Sequence, residues 1–180
     1  MSFCKELTMD NDPSTNPPHD TPHGAFPVDR PVEALLRDHN LVRQLADHYR
    51  NSDSVEVRKQ AGSQILQALH THSRLEESVF YPGVRDVDAG LIGHFEQEHL
   101  KADDLLATLQ GMPMEDPRSD QMMRELLDMT MHHMQEEEEQ LFPKLEQARM
   151  DMTPLGLQMA AFEANLIHMQ AQASAAPAQR

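Results

Sequence analysis

Apolar residues return at helical spacing along most of this 180-residue chain. Val32, Leu35, Leu36, Val42, Leu45 and Tyr49 form one stripe with a helical period, which predicts a helix over about 30–50. Asp29 before Arg30-Pro31 offers it a cap and a proline in the first turn. The segment "NSDSVEVR" breaks the pattern, and Asp53 with Glu56 has the spacing of a capping box. A second helix is then expected to run to about Phe80, where Tyr81-Pro82-Gly83 predicts its end. A third covers about 87–110 and stops at Gly111-Met112-Pro113. Asp116-Pro117 starts a fourth, which continues to about Arg149. Thr153-Pro154 opens a fifth, with Leu155, Met159, Phe162, Leu166 and Met169 as its inward stripe.

Four long amphipathic helices with short connections predict an all-α, up-down-up-down four-helix bundle over residues 30–149. Residues 1–29 hold Pro13, Pro17, Pro18, Pro22 and Pro27 among polar residues and read as a flexible arm. Residues 150–180 read as a C-terminal amphipathic helix and tail. The bundle contains a repeat. "THSRLEESVFYP" (71–82) and "HHMQEEEEQLFP" (132–143) align without a gap, matching His72 to His133, Glu76-Glu77 to Glu137-Glu138 and Pro82 to Pro143. Asp38-His39 precedes the first copy much as Glu98-His99 precedes the second. Each copy is one helical hairpin, and two hairpins make the bundle.

The stripes also say which polar residues face inward. Helix one places His39 among Leu35, Leu36 and Val42, and helix two runs Ile65, Leu69, His72, Glu76, Val79. Helix three centres His99 between Phe95 and Ala102, and helix four runs Leu126, Thr130, His133, Glu137, Leu141. His94, His132 and Glu136 fall on mixed or polar rows, and His70 lies on a flank with Arg74 and Glu77. The glutamates of 136–139 other than Glu137 read as a solvated face, and His19, His23, His48 and His168 as surface.

An unpaired carboxylate in an apolar stripe costs several kcal/mol, on the order of 2–7, or takes up a proton. Two of them, each one turn from a histidine, have a shared reason to be there if a metal ion joins them. Imidazole and carboxylate suit iron, manganese or zinc, and the i, i+4 spacing lets both side chains of a pair reach one centre.

Composition narrows the classes. The net charge of −15 opposes binding to nucleic-acid phosphates or anionic lipid. The single cysteine, Cys4, leaves no thiolate site or disulfide framework, so a metal must be held by nitrogen and oxygen. No apolar run approaches the roughly 20 residues of a membrane span, and the N-terminus lacks the apolar core of a secretory signal, so a cytoplasmic location is expected. The 13 methionines fit as filler in helical cores.

With those residues in view, the chain resembles the hemerythrin-like, HHE cation-binding family over about 30–149, in its bacterial H…HxxxE…H…HxxxE form. The resemblance implies two iron ions in the bundle, with zinc or manganese as substitutes after purification. It implies Glu76 and Glu137 as bridging carboxylates, His39, His72, His99 and His133 as terminal ligands, and an oxo or hydroxo group completing the bridge. The invertebrate oxygen carriers of the family have a histidine where Phe95 stands, and end in a His–Asp pair five apart instead of His133 and Glu137. The function expected is a protein that reacts with or senses dioxygen, nitric oxide or peroxide, or iron supply. The alternatives are iron handling or iron-centre repair, and a di-iron enzyme that decomposes peroxide or nitric oxide. A structural zinc protein, or a metal-free bundle acting through the fifth helix, is the remaining reading. That helix is the surface expected to meet a protein partner or a second copy of the chain. The sequence singles out no catalytic residue.

Overall fold

The structure, a computed structural model, describes residues 26–113 and 115–175. It is all-helical. The elements are α1 (Pro31–Asn51), α2 (Val55–Leu75), a π-helical turn (Glu76–Phe80), α3 (Tyr81–Val84), α4 (Ala89–Gln110), α5 (Pro117–Glu136), a second π-helical turn (Glu137–Leu141), α6 (Phe142–Ala148) and α7 (Thr153–Ala175). α1 packs on α2, α2 on α4, α4 on α5 and α5 on α1, which closes the four-helix ring. α7 lies against α1, α2 and the first π-turn. Among the described residues no helix is long and apolar enough to cross a membrane. The proline-rich arm falls almost wholly outside the described residues.

Local chemistry accounts for the helix ends, with some shifts from expectation. Asp116 caps α5 by accepting the Arg118 N–H, and Asp88 caps α4 by accepting from Leu91. α2 is capped by Ser54, whose hydroxyl accepts from Val57, rather than by Asp53. Asp29 does not cap α1, which starts after Arg30 with no side-chain cap.

The largest departure lies at the two prolines. Pro82 does not end the second helix: the rod runs on through the π-turn to Val84, and the Pro143 rod likewise continues to Ala148. In a regular helix a proline ring clashes with the carbonyl four residues back. Here each proline follows a turn that holds one extra residue, with the Tyr81 and Phe142 N–H groups bonded to carbonyls five residues back, on Glu76 and Glu137. The widened turn displaces the clashing carbonyl, and the chain keeps its direction.

The core is two apolar clusters with a polar layer between them. One holds Val42, Tyr49, Ile65, Leu69, Leu106, Leu109, Met123 and Leu126 among others. The other holds Leu35, Leu75, Phe80, Tyr81, Ile92, Phe95, Leu141, Phe142, Leu155 and Met159. On each long rod a buried histidine sits between members of the two clusters. Of the expected α7 stripe, Leu155 and Met159 are buried and Phe162 and Leu166 half-buried, whereas Met169 is 65% exposed and its neighbour Gln170 faces α2 instead, bonding to Thr71 and Gln67.

α7 is seated by a close backbone approach. A Cβ on Gly156 would stand 2.0 Å from the Val28 carbonyl oxygen, so the chain entering α1 lies directly on this glycine. Gly156→Ala should cost on the order of 2 kcal/mol by overpacking and lower Tm by roughly 4–8 °C in thermal unfolding. Gly83→Ala should cost less, since its nearest neighbour is the flexible end of Leu155.

Candidate metal centre

Six side chains meet in the polar layer: His39 from α1, His72 from α2, Glu76 and Glu137 from the two π-turns, His99 from α4 and His133 from α5. All are buried, and both glutamates are fully so. Their donor atoms form two groups, His39, His72, Glu76 and Glu137 in one, and Glu76, His99 and His133 in the other, with the atoms of each group within 4.8 Å of one another. Each carboxylate stands between the halves. Glu76 Oε2 is 3.2 Å from His72 Nε2 and 3.4 Å from His99 Nε2. Glu137 Oε2 is 3.3 Å from His39 Nε2 and 3.6 Å from His133 Nε2. The sequence-predicted residues are therefore brought together without exception.

The donor set suits a cation. His39 Nε2, both ring nitrogens of His72, Glu76 Oε1 and Glu137 Oε2 are buried without a hydrogen bond of acceptable geometry. Orphaned polar atoms at this depth are rare in native interiors, and a cation between the two groups would satisfy those that point inward. Imidazole nitrogen with carboxylate oxygen is the ligand chemistry of iron, manganese and zinc.

A second ring of carboxylates holds the histidines from behind. Each Nδ1 faces an acid: His39 meets Glu138 at 2.7 Å, His99 meets Glu77 at 3.1 Å, His133 meets Glu98 at 2.9 Å and His72 meets Asp38 at 3.6 Å. The pattern repeats with the hairpins, since Glu77 corresponds to Glu138 and Asp38 to Glu98. Such partners fix the ring orientation so that Nε2 points inward. Two sequence expectations are corrected. Glu138 is not part of a solvated face, and Glu77 is not idle on a flank; both sit at helix–helix boundaries where a long side chain reaches the neighbouring rod. The bonds leave their mark on acidity. The His99 and His133 bonds hold Glu77 and Glu98, respectively, below the ordinary carboxylate range, and for Glu138 the pull of His39 and Arg43 outweighs burial. Glu77→Ala and Glu138→Ala should each weaken metal binding about 10–100-fold in chelator competition. Exposed Glu139→Ala should leave it unchanged.

Tyr81 is the site residue that sequence reasoning missed. Its hydroxyl donates to Glu137 Oε1 at 2.8 Å and lies 3.2 Å from His133 Nε2 and 3.4 Å from His99 Nε2. In an α-helix a residue five places on points about 140° away. The π-turn brings Tyr81 back beneath Glu76, 3.5 Å from its Oε2. Its counterpart Phe142 has no hydroxyl and stacks on His39, ring centroids 5.9 Å apart. His94 is half exposed and faces Glu136, not the buried groups. Phe95 fills the space beside His133 instead.

Protons balance the buried carboxylates. Burial pushes His72 and His99 down, but Glu76, with Asp38 for one and Glu77 for the other, holds them up at about 9 and about 10. For Glu76, burial pulls upward and is outweighed by His72, His99 and His133, which hold it far below the carboxylate range. Burial and the two carboxylates push the Tyr81 phenol well up.

The profile of the hemerythrin HHE cation-binding domain matches residues 30–145 and, in a second match, 90–176. The chain belongs to the hemerythrin HHE family. A crystal structure of a hemerythrin HHE cation binding domain-containing protein from Mycobacterium kansasii superposes with a TM-score of 0.62 at 23% identity, over 76% of this chain and 88% of that one. A curated DNA nickase from Nostoc is 28% identical over 121 residues. That match takes in 66% of the HHE chain but only 34% of the nickase, so the chain spans about a third of that relative's length. The chain thus carries an HHE cation-binding domain with buried His/Glu groups able to hold metal.

Proposed function

We propose that this HHE protein is a non-haem di-iron protein whose centre reacts with dioxygen, nitric oxide or peroxide and changes state in response. The observation that carries the reading is the position of Glu76 and Glu137, each between a histidine of one half and a histidine of the other. Two fully buried carboxylates shared in this way are suited to joining a pair of cations. His39 and His72 would hold one iron, His99 and His133 the other, and the pair supplies Lewis-acid and redox chemistry when bound. The chain's own residues supply access and protons. A cleft of about 270 Å³, lined by Leu69, Ala102, Leu106, Leu126 and Met129 among others, reaches His99 and His133. The His39 half is instead roofed by Phe142. A small, weakly polar ligand therefore reaches the half where the Tyr81 hydroxyl stands, and that hydroxyl would donate a hydrogen bond to it by exchanging its bond to Glu137.

The alternative with an observation behind it is iron handling, since a charge of −15 gathers cations. The test is metal content together with ultraviolet–visible spectra recorded before and after adding oxygen, peroxide or nitric oxide to iron-loaded protein. Two irons per chain and a spectrum that changes with one of these ligands support the proposal. Zinc alone, or no metal after iron reconstitution, overturns it. Rapid loss of iron to a chelator, with no response to the small ligands, favours iron handling.

A further inference from the structure

The second hairpin carries another constellation, on the outside of the bundle. α4 presents His94 and Glu98, and α5 presents His132 and Glu136, so each helix contributes a His–Glu pair four residues apart on one face. Three of these side chains converge, and His132 stands beside Glu136. His94 Nε2 is 3.1 Å from Glu136 Oε2 and 3.6 Å from Glu98 Oε1, and His132 Nε2 is 3.6 Å from the same Glu136 oxygen. Donor atoms of His94, Glu98 and Glu136 lie within 4.8 Å of one another. Among the described residues, the ion-pair partners of Glu98 and Glu136 are all histidines, with no Lys or Arg.

We propose that His94, Glu98, His132 and Glu136 form a further cation site, for zinc, at the surface of α4 and α5. Two imidazoles and two carboxylates make a four-donor N2O2 set of the kind borderline divalent cations take. Half-exposed His94 and exposed His132 can turn to meet an ion at little cost, whereas the buried six are fixed by packing. The site is not a by-product of the repeat. By the hairpin alignment its counterparts are Ala34, Asp38, Thr71 and Leu75, of which only Asp38 can ligate. The first hairpin builds its half of the buried centre without any such cluster, so the buried centre does not require these histidines. Glu98 links the two places: its Oε2 accepts from His133 Nδ1 at 2.9 Å while its Oε1 faces His94. A cation bound outside would thus share one carboxylate with the support of a buried histidine.

The test uses the full chain, loaded with iron and then titrated with cobalt(II) as a spectroscopic probe and with zinc(II), beside the His94→Ala/His132→Ala variant. One extra equivalent per chain, with the visible bands of four-coordinate cobalt, is expected. In the double variant those bands should vanish and affinity for that equivalent should fall at least tenfold, with iron content unchanged. Glu98 is left intact because its loss would also disturb His133. An extra equivalent that persists in the variant overturns the proposal, as does the absence of any extra equivalent in the unaltered protein. The comparison of the two proteins counts this one site even if the buried centre takes a metal other than iron, so its failure is separable from failure of the di-iron reading.

Discussion

Glu76→Gln is expected to strip metal from both halves of the buried centre, taking iron content from about two per chain to well under one. The carboxylate is fully buried and reaches His72 on one side and His99 on the other, so a single replacement removes a donor from both groups at once. Glutamine keeps the volume, so the bundle should still fold, with its helical circular dichroism retained. What it lacks is the negative charge, without which Glu137 alone would have to offset the repulsion of two cations. Glu139→Gln, on the exposed face, should leave the iron content as it was. Metal analysis after reconstitution decides, and equal retention in both variants would remove Glu76 from its bridging place.

Metal binding should also depend steeply on pH. Without metal, His72 at about 9 and His99 at about 10 both carry a proton at neutral pH. A cation needs the neutral ring, so binding must release at least those two protons. Both shifts are upward, so affinity rises with pH and levels off only above about 10. Over the range below about 9 each pH unit lost should weaken binding about a hundredfold, tenfold for each proton. Indicator dye in weak buffer counts the protons, and chelator competition at several pH values gives the slope. A flat profile would mean that the histidines are already neutral before metal arrives. The same protons explain how the chain can bury Glu76 and Glu137 before any metal is present: imidazolium supplies the opposing charge in the interim.

The helical period made much of this legible. A residue's place on a stripe depends only on its distance from its neighbours, so His39, His72, Glu76, His99, His133 and Glu137 could be placed inward from spacing alone. The period fails where the helix stops being regular. Pro82 and Pro143 read as stops because the π-turns that accommodate them leave no separate signal in composition. Tyr81 was lost for the same reason, being off the stripe by α-helical counting. The hint available was the proline at the same offset from the buried glutamate in both hairpins. Glu77 and Glu138 were misplaced for a different reason: a wheel assigns directions from one helix axis, and these side chains belong to the seam with another helix.

Tyr81 and Phe142 occupy equivalent positions in two hairpins that bring matching His and Glu residues to the buried centre. A pair of identical halves has no inside left or right, and anything arriving would meet either half alike. One oxygen atom ends that equivalence. The half beside the hydroxyl has a proton donor and the half under the phenyl ring has none, so the two cations of a pair would differ in how easily each gives up an electron. Duplication made the cradle, and a single unmatched atom gives it a front and a back.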